Sequence, residues 1–195
     1  MGQETSKSYK KNLVRNLILN QFIEGKHRRR EQDYEDNVIP NILVISPTMR
    51  CNLNCTGCYS GLYEKHGDLT EEELDRVLGE ARDMGIYFIV ISGGEPYLLK
   101  DALLRLFKKY NDMFFLTYTN GTFLDKKTCK QLGKLGNVAP AISVEGWEAE
   151  TEERRGKRMW KKINDAMVNL REEGVLFGIS VTYTRHNIDV VTDDK

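Results

Sequence analysis

Hydrophobic and polar residues follow two rhythms along this chain. Near the N-terminus, Leu13, Val14, Leu17, Ile18 and Phe22 fall at helical spacing and predict an amphipathic helix over 13–23. The charged stretch 24–37 has no periodicity and reads as a linker. Beyond it, short apolar runs alternate with amphipathic ones. Ile42-Leu43-Val44-Ile45 suits a strand buried on both faces. Thr70 and Glu73 form a capping box flanked by Leu69 and Leu74, which opens a helix carrying Leu74, Val77, Leu78 and Ala81 on one stripe. Gly85 is placed to end it. Strands follow over 87–92, 113–119, 138–144 and 176–183. The helices between them are marked by Leu103, Leu106, Phe107 and Tyr110, by 125–134, and by Trp160, Ile163, Met167 and Leu170.

Strand–helix alternation of this kind argues for an α/β fold with a parallel sheet and right-handed crossovers. Five strands are too few for an eight-fold barrel, which needs about 250 residues. The expected architecture is a partial, TIM-like barrel of the (β/α)6 kind, truncated after the fifth strand. Residues 1–40 form an N-terminal helix and charged linker, and 41–195 the core.

Lys plus Arg and Asp plus Glu both total 29, so the net charge is zero and gives no electrostatic case for nucleic acid or membrane as a partner. The polar N-terminus lacks the apolar core of a signal peptide, and no apolar run is long enough to span a bilayer. A cytoplasmic location is the expectation. Lys26-His27-Arg28-Arg29-Arg30 is basic and 31–36 acidic, which reads as a solvated, partly self-cancelling segment.

The chemistry gathers at the C-terminal ends of the predicted strands, the edge at which parallel α/β folds bind ligands. Cys51-x3-Cys55-x2-Cys58 follows the first strand, Gly93-Gly94-Glu95-Pro96 the second, Thr119-Asn120-Gly121 the third and Ser143-Val144-Glu145-Gly146 the fourth. Soft thiolates select iron–sulfur clusters, zinc or cuprous copper. A structural zinc site takes four closed ligands, with His66 as a fourth candidate here. Three thiolates instead leave one metal position open. Cys129 shares a helix face with Leu132 and reads as core. Gly93 and Gly94 have no Cβ to keep a ligand from the backbone. Pro96 biases Glu95 toward an extended conformation.

The cysteine spacing after a first strand, with the Gly-Gly-Glu-Pro run after the second, resembles the radical S-adenosylmethionine superfamily from about residue 42 to 187. The resemblance implies a 4Fe–4S cluster held on three irons by Cys51, Cys55 and Cys58. S-adenosylmethionine would chelate the fourth iron. It also implies reductive cleavage of that cofactor to a 5′-deoxyadenosyl radical, which takes hydrogen from a substrate, either a peptide or a small molecule. The electron would come from a donor such as ferredoxin or flavodoxin. Gly93, Gly94, Glu95 and Pro96 would hold the methionine amino group. Thr119, Asn120 and Ser143 would face the same ligand, Glu145 the ribose hydroxyls, and Arg155 a carboxylate. Two positions depart from the family's habit. Gly57 stands before the third cysteine where an aromatic residue is common, and Glu145 stands where aspartate is common. On this reading, bulk at Gly94 blocks the cofactor and spares the cluster, because the cysteines lie on a separate loop. The competing readings are an electron carrier with a fully protein-ligated cluster and a zinc-stabilised binding module.

Overall fold

The structure, a computed structural model, describes residues 5–32 and 38–193. Five strands form one parallel sheet in the order β1-β2-β3-β4-β5: β1 Ile42–Ile45, β2 Phe88–Ile91, β3 Phe114–Thr119, β4 Val138–Val144 and β5 Gly178–Val181. Strand order that follows chain order without reversal is the winding of a barrel, not of a doubly wound sheet.

Two N-terminal helices, α1 Lys7–Val14 and α2 Gly25–Gln32, precede the sheet. Helices α3 Glu71–Asp83, α4 Lys100–Lys109, α5 Lys126–Leu135 and α7 Met159–Glu172 lie between successive strands, with a short α6 Glu148–Arg155 before α7 and α8 Ile188–Val191 after β5. Local signals set their ends. Thr70 and Glu73 make the expected capping box on α3, Gly85 follows it at φ +82°, and Asp125 caps α5.

The core lies between the sheet and the strand-linking helices. Along the register row Leu43–Ile89–Phe115–Val138, the last three side chains are fully buried, and Ile142 joins them from further along β4. The neighbouring row Val44–Val90–Leu116–Ala139 points to the opposite face, where Val44 is 62 % exposed. The expectation that β1 is buried on both faces is therefore corrected. Helices cover one face of the sheet, and the other is the open interior of a partial barrel.

The N-terminal segment differs most from its sequence reading. Residues 7–32 are helical throughout, with a π-helical stretch, Arg15–Glu24, joining α1 to α2. Residues 25–32, read as linker, are thus helix; 33–37 lie outside the described residues. The helix crosses the N-terminal ends of the strands and packs its polar side inward. The Tyr9 hydroxyl donates to the Val138 carbonyl, Asn12 to Leu135, Asn16 to the carbonyls of Asn111 and Met113, and Asn20 to Asp112. Gln21 accepts from Tyr87 N–H and donates to the Asn41 carbonyl, and Arg29 donates to the Gly85 carbonyl. These are backbone groups at helix ends and strand starts, and polar side chains reaching them help to satisfy an obligatory demand. The looser i→i+5 winding puts residues four and five apart on one face. Asn12, Asn16, Asn20 and Gln21 therefore share the inner side, while Val14, Ile18, Leu19, Phe22 and Ile23 turn outward.

Candidate functional site

The cysteine loop begins as a continuation of the sheet. Past β1 and β2 the ladder continues through Ser92 N–H to Ile45 O (2.9 Å), Gly94 N–H to Thr48 O (2.8 Å) and Glu95 N–H to Arg50 O (2.8 Å). This close approach explains the two glycines. A Cβ on Gly94 would lie 2.1 Å from the Arg50 carbonyl oxygen, and one on Gly93 would lie 2.4 Å from that of Thr48. The pair makes room for the backbone that delivers Cys51. The expectation that the cysteines lie on a loop separate from the glycines is corrected. The far end of the loop is tied back by Asp68, which accepts from the Thr48 hydroxyl (2.6 Å) and pairs with the Arg50 guanidinium.

Cys51, Cys55 and Cys58 are free and half-buried on this loop. Cys51 Sγ accepts from Leu53 N–H at 3.4 Å and from the Asn120 amide at 3.8 Å, and Cys58 Sγ lies 3.2 Å from the Ser60 hydroxyl. Burial pushes the thiols of Cys51 and Cys55 above their ordinary range, with Arg155 opposing it at Cys55. Burial also raises Cys58, but hydrogen bonds from Ser60 and the backbone N–H groups of Ser60 and Gly61 outweigh it and leave that thiol below the ordinary value.

Strands β2 to β4 send their ends to the same place. Glu95 is fully buried, extended at φ −120° and ψ 104°, and turned into the protein. Its carboxylate accepts from Tyr97 N–H (3.0 Å), the Thr119 hydroxyl (2.9 Å) and Asn120 N–H (2.8 Å), so it fastens the end of β2 to the end of β3. Its burial raises its pKa above the carboxylate range, against the pull of those bonds. After β4, Glu145 is 1 % exposed and its Oε1 accepts from Arg154 Nη1 (2.5 Å) and from Arg155 Nε and Nη2 (2.8 and 2.5 Å). Its Oε2 is enclosed without a hydrogen-bond partner among the described residues. Arg154 also grips the cysteine loop, its carbonyl accepting from Thr56 N–H (2.9 Å) and its Nε donating to Thr56 O (3.1 Å).

These parts surround a cavity of about 380 Å³ lined by the three cysteines, Gly93, Gly94, Thr119, Asn120, Ser143 and both arginines. Tyr59 crosses its rim, its hydroxyl donating to Gly93 O at 3.1 Å. Among the described residues no three His, Cys, Asp or Glu side chains converge as ligands of a single ion. The thiols instead share one cavity wall, with no carboxylate in its lining and two guanidiniums beside them to offset thiolate charge. That donor set fits a multi-iron sulfur cluster.

A family model for the radical SAM superfamily matches residues 45–195. The chain belongs to the radical SAM superfamily. Among curated relatives, this radical SAM chain is 29 % identical over 151 residues to the Fe-coproporphyrin III synthase of Methanosarcina barkeri, covering 75 % of this chain and 38 % of that protein. It is 25 % identical over 166 residues to the sporulation killing factor maturation protein SkfB of Bacillus subtilis, covering 81 % and 39 %. Among solved structures, Streptococcus suis SuiB bound to S-adenosylmethionine superposes with a TM-score of 0.70 at 26 % identity, over 78 % of this chain and 36 % of SuiB. The chain thus spans well under half the length of these proteins.

Within the radical SAM chain, Cys51, Cys55, Cys58, Gly93, Gly94, Thr119, Asn120, Ser143 and Arg155 all reach the cavity. Glu95 and Pro96 do not line it; both are buried. Glu145 lines a smaller neighbouring cavity and is engaged by the arginines. Sequence reasoning gave no role to Tyr59, Arg154, Ser180 or Thr182, which also line the main cavity. For Ser180 the strand register was the available signal, since it pairs with Ser143 across β4 and β5.

Proposed function

We propose that Cys51, Cys55 and Cys58 hold a 4Fe–4S cluster on three irons, that S-adenosylmethionine binds at the fourth within the cavity, and that the protein works in the cytoplasm. With both bound, the site would supply reductive cleavage of the sulfonium to a 5′-deoxyadenosyl radical for hydrogen abstraction from a peptide or small-molecule substrate. The electron would come from a ferredoxin or flavodoxin. The observation that carries this reading is the convergence of three thiols and four strand ends on one cavity.

The chain's own groups have distinct tasks. Leu53 N–H, the Asn120 amide and the Ser60 hydroxyl direct hydrogen bonds at cysteine sulfur, which stabilises thiolate charge and raises a cluster's potential. Gly93 and Gly94 hold the cysteine loop against β2. Arg155, fixed by Glu145, offers a guanidinium suited to a carboxylate. Thr119, Asn120 and Ser143 supply neutral hydrogen-bonding groups to the same space. The relatives named above carry different labels, a porphyrin synthase and a peptide maturation protein, so the shared core supports the chemistry and leaves the substrate open.

The test is anaerobic reconstitution with iron and sulfide. About four irons per chain are expected, with a visible spectrum that changes on adding S-adenosylmethionine, and 5′-deoxyadenosine formed slowly under dithionite. Cys51→Ala, Cys55→Ala and Cys58→Ala should each abolish the cluster, and Cys129→Ala should not. A single tightly held zinc, or a cluster indifferent to S-adenosylmethionine, would overturn the proposal.

A further inference from the structure

The helix across the base of the barrel carries an uncovered surface of unusual composition. Five large apolar side chains, Val14, Ile18, Leu19, Phe22 and Ile23, stand on its outer side, each about half exposed or more. Residues 7–32 contain eight lysines and arginines against Glu24 and Glu31, within a chain of zero net charge. Three of the cations face inward or are paired: Arg15 bonds Asn111, Arg28 pairs with Glu24 and Arg29 bonds Gly85. Lys7, Lys10, Lys11, Lys26 and Arg30 are exposed and make no ion pair among the described residues. Lys26 and Arg30 share a surface groove with Phe22, Ile23 and the His27–Glu31 pair.

The outward face is a consequence of the fold. An amphipathic helix on a protein turns its apolar side to the core, but here the backbone groups at the strand starts claim the polar side. The apolar side is left as a ridge, and i→i+5 winding keeps that ridge in one line. An exposed apolar strip flanked by cations is the form of a helix that lies in a lipid interface. Helix-in-groove docking instead places the ridge in a concave partner. A second copy is disfavoured, because an isologous contact would oppose two surfaces of the same strong positive charge.

We propose that residues 7–32 form an in-plane anchor that seats the base of the barrel on an anionic membrane surface. The anchor lies at the N-terminal ends of the strands and the cysteines at the C-terminal ends, so the mouth of the site would face away from the lipid. No helix among the described residues is long and apolar enough to cross a bilayer, so the attachment is to one leaflet. The inference does not depend on the cluster.

The 195-residue chain is mixed with vesicles of phosphatidylcholine alone and with vesicles of equal parts phosphatidylcholine and phosphatidylglycerol, then sedimented. Partition onto the anionic vesicles should exceed that onto neutral ones by about tenfold or more and weaken as salt rises. Ile18→Ser with Phe22→Ser, and separately Lys26→Glu with Arg30→Glu, should each remove about tenfold of that binding. Because all four side chains are exposed, the circular dichroism and urea midpoint of both variants should match the parent. The proposal is overturned if neither vesicle binds, if both bind equally, or if the serine pair binds like the parent. It is also overturned if light scattering finds a dimer that the serine pair dissociates, since the ridge is then a subunit interface.

Discussion

Replacing Gly94 with alanine tests how the cysteine loop is held. The new methyl carbon would lie 2.1 Å from the carbonyl oxygen of Arg50, 2.6 Å from its carbon and 2.7 Å from the oxygen of Met49. Ordinary non-bonded carbon contacts sit near 3.5–4 Å, so the 49–50 backbone must retreat by about 1 Å or more. Both flanking ladder bonds, Gly94 N–H to Thr48 O and Glu95 N–H to Arg50 O, would lengthen beyond use. Overpacking costs about 1–3 kcal/mol, and each buried backbone group left unpaired about 1–3 kcal/mol. A destabilisation of about 3 kcal/mol or more follows, together with displacement of Cys51, the next residue along. Urea unfolding of the metal-free protein and iron content after reconstitution read the two effects separately. Gly94→Ala should fall on both. Gly61→Ala, whose added carbon meets nothing within 4 Å, should match the parent on both. Full iron content with an unchanged urea midpoint in Gly94→Ala would refute the reasoning and restore the view that the glycines serve the ligand alone.

Other outcomes follow from single contacts. Glu145→Gln leaves two mostly buried guanidiniums without their anion and should cost about 3 kcal/mol or more in urea unfolding; a midpoint within error of the parent would show the pairs to be idle. Cys129 is fully buried, which pushes its thiol up to about 12, so a thiol reagent should count the three loop cysteines in the folded, metal-free protein and the fourth only after unfolding. Asp125 accepts from Thr128 N–H at the start of α5, and that bond holds its carboxyl below the usual range. Its stabilisation is complete above the ordinary carboxylate pKa and is lost as pH falls through the depressed folded value. The urea midpoint of Asp125→Asn should therefore fall less than the parent's between neutral pH and about pH 3; equal falls would remove Asp125 from the acid response.

What the sequence made legible was local. The capping box at Thr70 and Glu73, the strand over 138–144 and the glycine stops are written within a few residues, and the structure has them in place. The three cysteines and the motifs at strand ends were legible because their position relative to strands fixes which edge they share. Features set by distant partners were not. The role of Gly94 depends on a carbonyl more than forty residues earlier in the chain. Helix α6 has a single buried side chain, Thr151, and so no stripe to announce it, yet it carries both arginines of the site. The N-terminal helix is amphipathic as its pattern says, but pattern alone does not tell which side the fold will claim.

The polar seating of that helix bears on how the molecule opens. Burial of apolar surface is what makes an unfolding step steep in denaturant and curved in temperature. Here the apolar ridge already stands in water, and residues 7–32 are held to the strand starts largely by hydrogen bonds, with Tyr9 buried and Leu13 and Leu17 half-buried beside them. Native-state hydrogen exchange should therefore find the base helix opening as a unit of its own with a shallower dependence on urea than the strand amides above it, which exchange through steep, global opening.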